Sequence, residues 1–294
     1  MRDWLATNAL ALLGRLPLRL DQSLGRGIGR LAWWFAKRER HTALINLRRC
    51  FPDQSPAWHE EIAKASLREL GAAMLEMPRI WRLGQRELDA LLVNPEALDE
   101  IMAIYRNGHG LVVATPHLGS WEFIGSLFAA HTRMTTLFRP SRVPALDPII
   151  KAGRESLGAQ LAPTDQSGVR AMVRALSRGD CVGILPDQEP SRGNGVFADF
   201  FSHPAYTMVL LPRLVSRQQV PVVALFAERL ANGRFLLHHH WIGTGLYDAD
   251  PYTACTELNR SVERLVRQRP EQYNWIYKRF RVQPDNVVVY ARDV

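Results

Sequence analysis

The sequence predicts an α/β protein with a largely parallel central sheet flanked by helices, preceded by a helical region that associates with a membrane surface. Three observations carry this. From Leu111 onward, short apolar runs alternate with amphipathic stretches, as strands joined by crossover helices do. Before that point the signals are helical. The basic charge also concentrates there: residues 1 to 50 carry ten Arg or Lys against three acids, +7 of a net charge of +8. The expected division is a helical amino-terminal region, 1–106, and an α/β domain, 107–294.

In the amino-terminal region Pro17, Pro52 and Pro56 punctuate the helices, and Pro56 suits the first turn of a helix from about Ala57 to Arg82. Trp4, Trp33, Trp34 and Phe35 accompany the arginines, which points to a lipid surface; nucleic-acid binding would instead want a basic stripe on the folded domain. The longest candidate span, Trp4 to Gly14, holds 11 uncharged residues. A spanning helix needs roughly 18 to 20, so a monotopic or peripheral protein is expected. A signal peptide fits poorly, because the apolar run is short, Asp3 precedes it and the charges continue for thirty residues. The alternative is an amphipathic helical pair packed on the core, and both readings can hold in part.

In the α/β region the expected strands are Leu111 to Thr115, Thr135 to Phe138, Cys181 to Leu185 and Val220 to Phe226. Helices at about Ser120 to Ala130, Val143 to Ser156, Gly168 to Ser177 and Tyr206 to Ser216 lie between and after them. Phe235 to Trp241 reads as a further strand, of antiparallel sense, and Pro251 to Gln268 as a late helix. Ser191 to Gly195 reads as a flexible loop. A hydrophobic content of 47% over 294 residues is enough to bury a large core. Cys50, Cys181 and Cys255 are far apart and odd in number, which suits buried reduced thiols rather than a disulfide set or a metal cluster.

The chemistry centres on His117-Leu118-Gly119-Ser120-Trp121-Glu122. With 9 His and 29 acidic residues, about one His followed five residues later by an acid arises by chance. Context gives the pair its weight: Pro116 stops an apolar strand and Gly119-Ser120 open a helix, so His117 and Glu122 fall at a strand's carboxyl end, where open α/β sheets place their ligands. A neutral imidazole accepts a proton near pH 7, and a carboxylate on its other nitrogen fixes the tautomer and stabilises the imidazolium. Such a dyad, with no nucleophile of its own, activates a substrate hydroxyl for direct attack on an ester or thioester. The competing reading gives Glu122 to the helix dipole and His117 to a loop.

Thr115 to Glu122 (TPHLGSWE), Leu137 to Pro140 (LFRP), Gly183 to Pro190 (GILPDQEP) and Gln272 to Phe280 (QYNWIYKRF) resemble the lipid A biosynthesis acyltransferases, the lauroyl and myristoyl transferases of Gram-negative bacteria. Asn46 to Ser55 resembles that family's region before its catalytic domain, so the likeness covers nearly the whole chain. The resemblance implies an O-acyltransferase of lipopolysaccharide biosynthesis at the cytoplasmic face of the inner membrane. Its expected donor is acyl-acyl carrier protein and its acceptor a hydroxyl of a lipid A precursor. It implies His117 as base and Glu122 as the acid that holds it, with no metal or organic cofactor and no nucleic-acid partner. The rivals are transfer to another glycolipid or an aminolipid, hydrolysis of the thioester, and an inactive membrane-binding relative.

Other residues bear on such a site. Asp187 and Gln188 follow an apolar strand and a proline; Asp187 fits a turn residue equally well as a group that orients a hydroxyl or pairs with an arginine. By the resemblance Arg154 is the preferred catalytic electrophile and Arg139 a substrate binder. Arg192 suits an acidic head group or plain solvent. In His238-His239-His240 only His238 and His240 would share a strand face, with no acidic or Cys ligand following in pattern, so no metal site is expected. Trp275, Tyr277 and Phe280 read as packing for the carboxyl terminus, with lipid contact as the alternative.

Overall fold

The computed structural model describes residues 10, 12–141, 143–217, 219–285 and 287–291; Trp4 and most of the run that leads to Gly14 lie outside the described residues. The helices α1 (Leu18–Phe35), α2 (Lys37–Cys50), α3 (Pro56–Ile80), α4 (Gln85–Leu91) and α5 (Pro95–Tyr105) precede the sheet. The start of α3 follows its sequence, with Pro56 in the first turn and the Ser55 hydroxyl accepting from Trp58 N at 3.1 Å.

α1 lies against α3 at backbone distance. A Cβ on Gly25 would stand 2.3 Å from Gly71 O, and one on Gly29 2.2 Å from Leu67 O, so only glycine fits at both positions. The opposite edge of α1 stays open, with Leu20, Leu24, Ile28, Leu31, Trp34 and Phe35 exposed. No helix among the described residues is long and apolar enough to cross a membrane.

The α/β body then runs β1 (Leu111–Ala114), α6 (Trp121–His131), β2 (Met134–Phe138), α7 (Asp147–Glu155), β3 (Gln160–Pro163), α8 (Gln166–Ser177) and β4 (Cys181–Ile184). It continues with β5 (Gly195–Phe200), β6 (His203–Met208), α9 (Leu210–Ser216), β7 (Val222–Arg229), β8 (Phe235–Trp241) and α10 (Pro251–Gln268). The main sheet has the order β3-β2-β4-β1-β7-β8, parallel except for β8 on β7. This is the expected fold class.

The central strands are apolar throughout because both faces are covered. Val112, Ala114, Val182, Ile184 and Phe226 enter one hydrophobic cluster with Ala43, Leu47 and Leu67 of the leading helices. Leu111, Val113, Cys181, Val223 and Leu225 enter the other with Ile80, Ile101 and Phe123. Residues of the helical region therefore contribute to both clusters.

Three elements differ from expectation. β3 is a short edge strand ending in Pro163, too exposed to carry an apolar run. The segment after Arg192 is a β-hairpin, with β5 paired to β6 and the turn made at Phe201 and Ser202, both at positive φ (49° and 60°). Neither residue is among the Asn, Asp and Gly that mark positive-φ hairpin turns, so the hairpin leaves little mark on the sequence. The helix expected from Tyr206 begins at Leu210, because Tyr206 to Met208 complete β6.

Candidate active site

Two neighbouring central strands end alike. β1 runs into Thr115-Pro116-His117 and β4 into Leu185-Pro186-Asp187, and Ala114 is paired with Ile184. Thr115 N extends that ladder by donating to Ile184 O at 3.0 Å. The same register carried past the two prolines sets His117 beside Asp187, 70 residues later. His117 Nδ1 lies 2.9 Å from Asp187 Oδ1, and the His117 backbone N–H donates to Oδ2 at 3.0 Å. One carboxylate thus holds both the ring and the backbone of the histidine.

Asp187 is buried. Burial alone would raise its pKa, but the facing imidazole, the ring hydrogen bond and the backbone N–H together hold it below the ordinary carboxylate value. The Tyr273 phenol is buried and feels the same carboxylate. Desolvation first, then the Asp187 charge, push that phenol well above its ordinary pKa, so it stays protonated. With Nδ1–H committed to Asp187, the lone pair of His117 is on Nε2, where the Gln188 side-chain amide approaches to 3.2 Å. His117 keeps 19% of its side chain exposed against 3% for Asp187, so the ring opens to substrate and the carboxylate does not.

The loop bearing His117 is fixed from several sides. Gly119 has φ +59°, and a Cβ there would stand 2.1 Å from Ala227 O at the end of β7. Gly119 N donates to Gln272 O at 3.1 Å, Ser120 N to Ala227 O at 2.9 Å, and Asn274 N to His117 O at 3.0 Å. The fully buried Arg229 donates to Gly119 O at 2.8 Å and grips Glu76 through Nε and an Nη (2.8 and 2.9 Å), while Ser120 Oγ donates to Glu76 at 2.6 Å. α3, β7 and the carboxyl-terminal segment thus meet at this loop.

The expectation that Glu122 holds the His117 ring is corrected here. Glu122 sits in the first turn of α6 and turns away from that ring: its Oε2 accepts from Trp81 Nε1 at 2.7 Å and from Arg154 Nε at 3.1 Å, and its Oε1 pairs with an Arg154 Nη. The ring neighbour of His117 on α6 is Trp121, whose indole centroid is 5.3 Å from the imidazole centroid. Arg154 likewise serves Glu122 as an ion-pair partner. Burial would lower its pKa, but the Glu122 charge and hydrogen bond raise it. Glu122 and Arg154 are the charged residues lining a cavity of about 80 Å³, whose mostly apolar wall includes Trp121, Met134, Leu137 and Leu185, with Thr115, Ser126 and Thr136 as its other polar residues.

Of the sequence candidates, His117, Asp187 and Gln188 come together, and Glu122 joins Arg154 beside the cavity. Arg139 is exposed past the end of β2, and Arg192 is exposed in the loop before β5. His238 bonds to Glu228 at 2.6 Å and stacks on Phe226. His240 is held near pKa 4 by burial, with Arg264 and His239 adding to it. Trp275 and Phe280 are buried, as packing residues. Trp81, Tyr273 and Arg229 escaped sequence reasoning; Tyr273 alone lay inside a motif that drew attention.

Residues 1–282 match the family described as bacterial lipid A biosynthesis acyltransferase. The chain is 27% identical to a lipid A biosynthesis palmitoleoyltransferase of Escherichia coli (strain K12) over 285 residues, 96% of this chain and 91% of that protein. It is 27% identical to that organism's lipid A biosynthesis myristoyltransferase over 98% of this chain and 90% of the other. With its lipid A biosynthesis lauroyltransferase the identity is 25%, over 97% and 92%.

Proposed function

The chain belongs to the bacterial lipid A biosynthesis acyltransferase family, and from that premise we propose that it moves a fatty acyl chain from acyl-acyl carrier protein to a hydroxyl of a lipid A precursor, a late acylation in lipopolysaccharide biosynthesis. The observation that carries the reading is a histidine with a buried carboxylate on Nδ1, set at two strand ends next to an apolar cavity.

The acceptor hydroxyl displaces the Gln188 amide from His117 Nε2. As its oxygen bonds to the thioester carbonyl carbon, its proton passes to Nε2, and Asp187 stabilises the imidazolium. The displaced Gln188 amide is then placed to donate to the oxyanion. Collapse breaks the C–S bond, and the leaving thiolate takes the proton from Nε2. Direct attack fits the thiols of this chain. Cys50, Cys181 and Cys255 are all buried and free, and desolvation pushes their pKa values up, to about 12 for Cys181 and about 11 for Cys255, so none is a ready thiolate.

The acyl chain enters the cavity beneath α6, whose glycine and methionine lining can widen. Glu122 and Arg154 hold its wall. The exposed apolar edge of α1, flanked by exposed Arg19, Arg30, Lys37 and Arg38, lies on the cytoplasmic face of the inner membrane.

The test is transfer of radiolabelled acyl groups from a panel of carrier thioesters to a Kdo-bearing lipid A precursor, comparing wild type with His117→Ala and Asp187→Asn. The reading expects one preferred chain and collapse in both variants. Intact thioester with no product in the wild type would overturn the acceptor assignment, and free fatty acid without acylated lipid would make the protein a hydrolase.

A further inference from the structure

A second cavity, of about 620 Å³, opens where the Asp187 loop continues toward β5. Pro190 lines it, two residues beyond Gln188 and so at most about 7 Å along the chain from it. The first cavity takes Leu185 from just before Asp187 and this one takes Pro190 from just after Gln188, so the chain that carries Asp187 and Gln188 runs from one cavity lining to the other. Its volume is that of a ligand pocket of roughly 300–1,000 Å³.

Three cations line it, and they are not equivalent. Arg281 is neutralised by the buried Glu189 at 3.0 Å. Among the described residues Lys278 has only the face of Tyr290, 5.2 Å from its Nζ. Arg192 is exposed and has no hydrogen bond or ion pair among the described residues. Its loop is nevertheless built: Tyr206 Oη accepts from Gly193 N and Gly195 N at 3.0 and 3.1 Å, and Tyr277 Oη accepts from Glu189 N at 2.8 Å. Arg192 on a clamped loop and Lys278 on the carboxyl-terminal segment thus face one concavity, both without an ion pair among the described residues.

We infer that this basic cavity binds the anionic head group of the acyl acceptor, a phosphate or sugar-acid carboxylate held by Arg192 and Lys278, and so brings the acceptor hydroxyl to His117. The inference rests on the acyltransferase reading above. Arg192 supplies a planar fork for the oxyanion group and Lys278 a point charge. The concave shape favours a head group over the convex face of an acidic carrier protein.

Two measurements test it. In transfer assays with acceptor and donor varied separately, Arg192→Ala and Lys278→Ala each raise the acceptor KM about tenfold and leave the donor KM alone, with melting temperatures near wild type. The penalty disappears with an acceptor stripped of its phosphate or carboxylate groups. A rise in donor KM instead, or an equal penalty with the stripped acceptor, overturns the inference. The second readout needs no activity: inorganic pyrophosphate slows acetylation of Lys278 by acetic anhydride in the full chain, followed by mass spectrometry, and loses that protection in Arg192→Ala. Unprotected Lys278 in the wild type overturns the inference even where transfer succeeds. Protection without transfer to any lipid A precursor leaves the anion site standing and removes the acceptor assignment.

Discussion

His117 has two carboxylates at hand, and they have separate duties. Glu122 follows it by five residues and Asp187 by seventy. Asp187 binds the imidazole and the backbone N–H of His117, whereas Glu122 binds Trp81 and Arg154 along the cavity wall. Strand register decides between them. β1 and β4 are paired residue for residue up to Ala114 and Ile184, and each then gives one residue and a proline. Glu122 comes after the backbone has turned at Gly119 into α6, where its carboxylate meets Trp81 and Arg154 instead. A neighbour across a parallel sheet outranks a neighbour along the chain.

The largest effect expected from this contrast is on rate. With His117 as the proposed general base, His117→Ala lowers kcat by about 10³-fold, within the range of such groups. Asp187→Asn leaves the ring without its orienting charge and costs a similar factor. Because the two act as a unit, the double variant is no slower than His117→Ala alone. A double variant slower by the product of the two losses would separate the residues and break the contrast.

The next effect is on stability. Glu122→Gln leaves the Arg154 guanidinium facing a buried neutral amide and destabilises the fold by about 2–4 kcal/mol. That is below the value for a fully enclosed pair, because Arg154 keeps 31% of its side chain exposed. Arg154→Met in the same chain restores most of the loss, read by urea denaturation. Asp187→Asn is the milder of the two by this measure.

Chain selection sharpens the contrast further. A Cβ on Gly125 meets nothing within 4 Å and this residue lines the cavity, so Gly125→Leu fills it and shifts transfer toward acyl chains a few carbons shorter. Unchanged selection from a mixed thioester pool would move the acyl chain out of that cavity.

The smallest effect is remote. Asp21 is buried, its carboxylate oxygens have no hydrogen-bond partner among the described residues, and its pKa is pushed up to about 6 by burial first and by Glu76, with Arg79 opposing. A carboxyl whose folded value lies above its unfolded value near 3.8 binds its proton more tightly when folded. Its contribution is therefore most favourable below pH 3.8 and is lost as pH rises through about 6. Asp21→Asn raises the melting temperature by a few degrees at pH 8, and the gain closes by pH 4.

What was legible in the sequence follows the same physics. The strands flanking the site were readable because strands buried on both faces write continuous apolar runs, and His117, Asp187 and Gln188 were each marked by a proline after such a run. Their pairing was also there to be read, in the matching intervals Ala114–His117 and Ile184–Asp187, once the strands are taken as neighbours. The partner of Glu122 was not: Trp81 closes a helix 41 residues earlier, and Arg154 sits on α7, whose docking depends on Gly153 packing against the Trp81 ring. The β5–β6 hairpin stayed hidden because Phe201 and Ser202 make its turn.

The most direct measurement is the proton NMR signal of His117 Nδ1–H in wild type, Asp187→Asn and Glu122→Gln. A ring N–H locked in a charge-assisted hydrogen bond gives a far-downfield resonance that exchange with water does not erase. The resonance is predicted in the wild type and in Glu122→Gln, and its loss is predicted in Asp187→Asn. A signal that survives in Asp187→Asn and vanishes in Glu122→Gln would return the histidine to Glu122 and contradict the account.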